Sequence, residues 1–363
     1  MEKKILLSIC IPTYNRAAVL KMLVDELLTI QSDEVEFVIS DNHSADATEV
    51  LMRSINDERL HYYRNDANLG PENIRVLLKA SKQSKFCLLI RDKDMIPNID
   101  DWFQKVKPLL ELAEDTSLFR GGLLSPRGNR LVVVPRYKRT KNTAQCFIDV
   151  MNVGTYMTSI IFPRKTLENV FELAKSSAPY MWSLYGFINL MIWCVKWGDY
   201  IPMPELIVHM RTTKVFSDSA NWGGIGSQDV PYWVVESRNK QNLDMVRMFK
   251  GLDLPNEILI PVMCNALIRQ SRWVVNAFKA IHSNAIKKMV DVVQRERNRS
   301  TTFWHSVFWS GYEAMLKEIN SLYGLSPVTS EVFSATMNYY RQLCELTEAK
   351  ELNAAKTAAA KKS

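Results

Sequence analysis

The chain has 363 residues, 47% of them hydrophobic and 23% charged, with a net charge of +7 and six cysteines. That length suggests one large domain plus a smaller one, and the composition excludes disordered, fibrous and disulfide-framework classes. No apolar run approaches the roughly 18 residues of a membrane span, the start is too short and strand-like for a signal peptide, and no CxxC pair suggests zinc. The expectation is a cytoplasmic protein with reduced core cysteines. Residues 1–230 hold 28 Lys and Arg against 27 Asp and Glu, and residues 231–363 hold 18 against 12. The basic excess therefore belongs to the C-terminal third, where an anionic surface would be met.

Residues 6–11 form a short apolar run rich in strand formers. Leu20, Leu23, Val24, Leu27 and Leu28 then recur at helical spacing. Strands are predicted at 36–40, 60–64 and 86–90, with a helix marked by Ile74, Leu77 and Leu78 between the last two. This alternation implies right-handed crossovers and a mostly parallel sheet covered on both faces. Residues 102–112 read as a helix, and residues 123–134 as a hairpin around Pro126, Arg127, Gly128 and Asn129. A strand over 155–162 and an aromatic-rich helix over 182–197, ended by Gly198, follow. From about residue 230 only helical stretches remain. The expected division is a nucleotide-binding α/β domain over 1–225, a helical domain over 226–352 and a disordered tail over 353–363.

Ligands of open parallel sheets bind beyond the carboxyl ends of the strands. After the first strand stand Pro12, Thr13, Tyr14, Asn15 and Arg16, and after the second Asp41, Asn42, His43, Ser44, Ala45 and Asp46. Near the third lie Arg64, Asn65, Asn68, Leu69 and Gly70, and after the fourth Arg91, Asp92, Lys93 and Asp94. Asp92 and Asp94 could place two carboxylates near one hard cation, which would neutralise a departing nucleoside diphosphate, or could form a solvated turn. Asp41 could accept a hydrogen bond from a base or ribose, or cap a helix.

These four motifs, in this order, resemble the family 2 glycosyltransferases, most closely the bacterial surface-polysaccharide group that includes abequosyltransferases. The resemblance is strong over residues 5–97 and loose over 98–215. It implies a GT-A fold, a Rossmann-like sheet for nucleotide-diphospho-sugars, with the helical domain appended. It further implies that Pro12, Tyr14 and Arg16 line the nucleotide pocket, that Asp41 contacts the base, and that Asn68 and Asn73 support the nucleotide loop. Asp92 and Asp94 would hold the diphosphate and Mg²⁺ or Mn²⁺, with His209 as a late metal ligand and Arg211 on a phosphate.

Two departures bear on the chemistry. Lys93, preceded by Arg91, stands where relatives carry a third acidic residue; it could replace part of the metal's charge on the donor or point to solvent. The Glu-Asp pair that supplies the general base in relatives is absent from 180–187, which offers Tyr180, Trp182 and Tyr185, either an acceptor platform or core aromatics. An inverting transfer needs a base within reach of the acceptor hydroxyl, and Asp199, Asp218, Asp229 and Glu236 are the candidates. The basic cluster Arg136, Lys138, Arg139 and Lys141 could receive an acceptor pyrophosphate or solvate a loop.

Basic and aromatic residues in the C-terminal helices, among them Arg269, Trp273, Phe278, Phe303, Trp304, Phe308 and Trp309, would suit the inner face of a membrane and a lipid-linked acceptor, or pack between helices. The functional expectation is a hexosyl- or deoxyhexosyltransferase that moves sugar from a nucleotide-diphosphate donor to a saccharide acceptor, with inversion, in capsule or O-antigen type synthesis. The alternative is a catalytically impaired sugar-nucleotide-binding or scaffolding protein. A nucleotidyltransferase fits less well, because residues 12–16 contain no glycine for a phosphate loop, and no nucleic-acid module is present.

Overall fold

A computed structural model describes residues 4–81, 84–132, 134, 137–153, 156–173, 186–211, 234–282 and 290–360. The chain divides into two compact units, Met1–Gln228 and Asp229–Ser363.

The first unit opens with β1 (Ile5–Thr13), α1 (Ala17–Leu27), β2 (Val35–Asp41), α2 (Thr48–Arg53), β3 (Leu60–Arg64), α3 (Asn73–Ala80) and β4 (Ser84–Leu89). β3, β2, β1 and β4 lie side by side, all parallel. Every residue of β2 is buried, as a strand covered on both faces requires. α1 lays Leu20, Leu23, Val24 and Leu27 into the core, each contributing about 1.5–3 kcal/mol by leaving water. The Lys85 ammonium donates to the carbonyls of Leu110, Glu111 and Ala113, so a cation closes the C-terminus of the later helix α4 (Ile99–Leu112).

Beyond β4 the sheet becomes mixed. β5 (Asp94–Met95), β6 (Leu118–Leu124), β7 (Arg130–Val132), β8 (Ile160–Pro163) and β9 (Tyr200–Met210) extend it in the order β4-β8-β6-β9-β5, with β7 hairpinned onto β6. β8 runs antiparallel to both β4 and β6, and β9 parallel to β6. β6 and β9 therefore end on the same rim as β1 to β4. α5 (Ala144–Asn152), α6 (Arg164–Leu173) and α7 (Gly186–Trp197) complete the unit. α3 packs on β1 and β2 and α6 on β4 and β8, while α4 touches β1 and β9. Four of the cysteines, Cys10, Cys87, Cys146 and Cys194, are buried and unbridged.

The longest strand, β9, is interrupted by Pro202 and Pro204, neither of which can donate to a ladder. Its register against β6 jumps from Arg120↔Pro202 to Gly122↔Ile207. The looped-out chain brings Leu206 against Gly121 so closely that a Cβ there would lie 2.3 Å from the Leu206 carbonyl oxygen. Gly121 is the residue that tolerates this bulge.

The second unit comprises α8 (Val235–Met248), α9 (Asn256–His282), α10 (Val290–Arg297), α11 (Thr301–Tyr323) and α12 (Ser330–Ala360). Ser300 caps α11 by accepting from the Phe303 amide, and Gly324 ends it at φ +65°. Phe278, Trp304 and Phe308 are core residues, with Phe303 and Trp309 packed against them. Arg269 is 2% exposed and lies over the ring of Trp273, 4.3 Å from its centroid. Trp273, Phe278, Trp304 and Phe308 face the interior and serve helix packing, the second of the two readings, while Phe303 and Trp309 are half-buried against them. Among the described residues no helix is long and apolar enough to cross a membrane. α12 runs to Ala360, through the stretch expected as a disordered tail, because alanine and lysine favour helix strongly.

One polar layer interrupts this core. Asn242 donates from Nδ2 to Gln270 Oε1 at 2.8 Å, and Gln270 donates in turn to Asn239. A Cβ at Gly311 would meet Gln270 Nε2 at 2.6 Å, so glycine on α11 makes the room that the layer between α8 and α9 needs.

In the first unit, α7 ends at Trp197, and a Cβ added to Gly198 would stand 1.6 Å from the Thr116 carbonyl oxygen. Gly198→Ala must displace backbone, so urea unfolding of the full chain should show a loss of about 1–3 kcal/mol or more. An unchanged midpoint would contradict this packing.

Candidate functional site

The carboxyl ends of β1, β2 and β3 are in register, Thr13 opposite Asp41 and Asp41 opposite Arg64. Asp41 is fully buried. Its Oδ1 accepts from the Ser44 amide at 2.9 Å and from the Ser44 hydroxyl at 2.5 Å, and its Oδ2 accepts from the Tyr62 hydroxyl at 2.6 Å. Arg64 adds a 3.9 Å ion pair. The expected contact from Asp41 to a base is therefore corrected: its carboxylate is spent inside the protein, turning the chain after β2. Burial and then the Asp41 carboxylate push the Tyr62 hydroxyl far above its ordinary range.

The next two layers of the rim are amides and a cap. Asn42 donates to Asn68 Oδ1 at 2.7 Å, while its own Oδ1 accepts from Asn65 Nδ2 at 3.2 Å and the Leu69 amide at 2.8 Å. Asn73 accepts from Ser40 Oγ and Asn65 Nδ2 and donates to the Ser40 carbonyl. Asn68 and Asn73 thus tie the loop after β3 to the end of β2. Asn15, at φ +51°, accepts from the Ala45 amide, and asparagine tolerates that left-handed backbone. Asp46 accepts from the Ala17 amide and the Thr48 amide, one carboxylate at the N-termini of both α1 and α2.

The fourth loop carries the acid pair. Asp92 is fully buried, accepting from Thr13 Oγ1 at 2.9 Å and from Arg16 Nη1 at 3.1 Å and 3.2 Å. Asp94, also fully buried, accepts a fork from Arg91, Nε and Nη2 each at 2.7 Å. Burial raises the Asp94 carboxyl above its ordinary range against the pull of Arg91. Lys93 lies between them; burial, then Arg91 and Arg16, push its ammonium down to about 8. Pro12 and Tyr14 are half-buried on the same loop as Arg16.

The other expected residues are scattered. His209 stands opposite Met95, while Asp94 stands opposite Met210. Alternation along a strand then puts His209 on the other face of the ladder from Asp94, which corrects its assignment as a metal ligand. Arg211 donates to the Asp94 carbonyl at 3.4 Å and pairs with Glu26. Asp199 sits at the opening end of β9, on the opposite rim, where Lys138 and the Lys141 amide hold it; it cannot serve as a base here. Lys138 and Arg139, the latter paired with Asp149, belong to that far rim too. Glu236 lies in the second unit, paired with Arg299. Tyr180, Trp182, Tyr185, Asp218, Asp229 and Arg136 fall outside the described residues.

A divalent cation does not fit the acid pair as arranged. Both carboxylates already receive guanidinium donors, so neither offers the unclaimed oxygens that a cation held by one or two carboxylates and substrate phosphates needs. One residue had no sequence signal. Arg120, in the middle of β6, is fully buried and donates to the carbonyls of Thr158 and Tyr156, and the Arg91 guanidinium lies over the Tyr156 ring at 5.5 Å.

Replacing Asp41 by alanine strands the Ser44 amide and Tyr62 hydroxyl. Asp41→Ala should destabilise the chain by about 3 kcal/mol, and Tyr62→Phe by about 1.5 kcal/mol. Denaturant titration checks both, and equal, near-zero losses would refute the network.

Comparison with known proteins bears on the fold around this rim. Residues 8–121 match the family model for Glycosyl transferase family 2. A curated relative, the abequosyltransferase RfbV of Salmonella typhimurium, is 31% identical over 96 residues, 25% of this chain and 29% of the relative's length. Two S. aureus TarS 1-349 structures resemble the chain. One has TM-score 0.50 at 13% identity, covering 88% of this chain and 92% of the other. The second, in complex with UDP-GlcNAc, has TM-score 0.51 at 15% identity, covering 87% and 92%. At such identities the likeness speaks for the fold, which is of the GT-A type with a helical region after it. Residues 8–121, which hold the loops of β1 to β4 and reach into β6, are thus the part of the chain that is similar to glycosyl transferase family 2.

Proposed function

We propose that the chain is a glycosyltransferase that takes a hexose or deoxyhexose from a nucleoside diphosphate and transfers it, with inversion, to a saccharide acceptor in surface-polysaccharide assembly. One observation supports this above the others: Thr13 bonds to Asp92 while standing in register with Asp41 and Arg64, so four strand-end loops share one rim, where nucleotides bind open α/β sheets. The similarity to an abequosyltransferase over 96 residues supports a transferred sugar of the deoxyhexose class. Pro12, Tyr14 and Asn68 would face the nucleoside, and Arg16, Arg91 and Lys93 the diphosphate.

In this reading the acceptor oxygen attacks the anomeric carbon as the bond from that carbon to the diphosphate breaks. The acceptor's proton leaves to a base, and the electron pair of the broken bond leaves with the nucleoside diphosphate. Guanidinium groups aimed at the developing charge are the main source of acceleration. A second reading, donor binding without transfer, draws on the same guanidinium-covered carboxylates.

Release of nucleoside diphosphate from a panel of sugar nucleotides tests both readings. The wild type should release it. Asp94→Asn keeps the shape of the side chain but loosens Arg91, and should lower turnover about 100-fold with the circular dichroism unchanged. Binding of a donor without any release would favour the second reading.

A further inference from the structure

We infer that this rim holds the donor diphosphate without a divalent cation, using Arg16, Arg91 and Lys93 as the clamp and buried Arg120 to position Arg91. The inference rests on the donor-site reading above. Its first support is the donor set. A hard cation needs carboxylate oxygens that nothing else claims, whereas Asp94 accepts the full fork of Arg91 and Asp92 accepts from Arg16 and Thr13. The residue between them is a lysine, which repels a cation that the two aspartates alone would attract.

The second support is charge. Arg16, Arg91 and Lys93 outnumber Asp92 and Asp94 by one, and Arg120 adds another cation beneath them. Its guanidinium meets carbonyl oxygens only, and among the described residues it forms no ion pair. Burial pushes its pKa down to about 10, so it stays charged at neutral pH. A buried cation balanced by no carboxylate projects a positive field that water screens little. Besides satisfying the Thr158 and Tyr156 carbonyls, such a cation favours an anion arriving at the rim.

The third support is geometry. Arg120 Nη2 donates to the Tyr156 carbonyl at 3.0 Å, and the Tyr156 ring lies beneath Arg91. Arg120 thereby fixes the platform on which Arg91 rests, with Asp94 orienting the other side. Arg16 Nε is buried with no hydrogen-bond partner, a donor that a phosphate oxygen would satisfy. The aspartates, in this arrangement, aim the guanidinium groups rather than a metal.

Calorimetric titration of the full chain with UDP, GDP, CDP and dTDP, in EDTA and in Mn²⁺, tests the inference. At least one nucleotide should bind with an affinity that differs by less than about threefold between the two conditions. Lys93→Ala should weaken it about tenfold or more in EDTA. Arg120→Met should narrow the affinity gap between that nucleoside diphosphate and its nucleoside by about tenfold, leaving the nucleoside's own binding unchanged. Binding that requires Mn²⁺ would overturn the metal-free clamp and leave the donor site standing. Failure of all four to bind in either condition would overturn both. Full diphosphate affinity in Lys93→Ala would overturn the clamp even if Arg120→Met failed to fold.

Discussion

Three carboxylates, Asp41, Asp92 and Asp94, are fully buried at the carboxyl ends of parallel strands, and a buried charge must be met by partners or be lost to protonation. The rim is built around meeting them. Asp41 draws Ser44, Tyr62 and Arg64 inward, Asp92 draws Thr13 and Arg16, and Asp94 takes Arg91. Asp92 is answered from the loop after β1 and Asp41 in part from β3, which ties these neighbours together, while Arg91 and Asp94 brace the fourth loop internally. What reaches solvent is the cationic side of these pairs: Arg16 is 28% exposed and Arg91 14%, against 1% and 0% for their carboxylates. A surface of this kind selects anions.

Much of this was legible in the residues. The β/α alternation gave β1 to β4 to within a few positions, and the clustering of polar residues after each apolar run followed from the parallel direction of the strands. The expected nine residues of the donor site all come from these loops or the helix that follows them. The roles read less easily than the positions. The resemblance assigned Asp41 to the base, and nothing in the spacing shows that Ser44 and Tyr62 would claim its carboxylate. β9 was missed because its two prolines and Glu205 break the strand pattern, and its pairing with β6 spans some eighty residues.

The errors have a common cause in pleat and direction. His209 and Asp94 sit on neighbouring strands, yet a register of one residue places them on opposite faces. Asp199 precedes β9 and His209 stands near its far end, so the strand holds them on opposite rims. Neither fact is visible to spacing along the chain. In the second unit the aromatic-basic pattern was ambiguous in principle, since a stripe that packs against another helix and one that lies on a membrane have the same periodicity. The buried indole of Trp304 and the stacking of Arg269 on Trp273 decide for packing.

The amide layer of Asn239, Asn242 and Gln270 has a mechanical consequence for the helical unit. Leucine-like contacts allow one helix to slip along another by small steps at little cost, but an amide that moves one turn leaves both itself and its partner without a bond in a dry interior. Gly311 sharpens this, since the amide of Gln270 sits where a Cβ on that position of α11 would stand. The three helices are thereby indexed like the teeth of a ratchet: they can separate together, but they cannot creep.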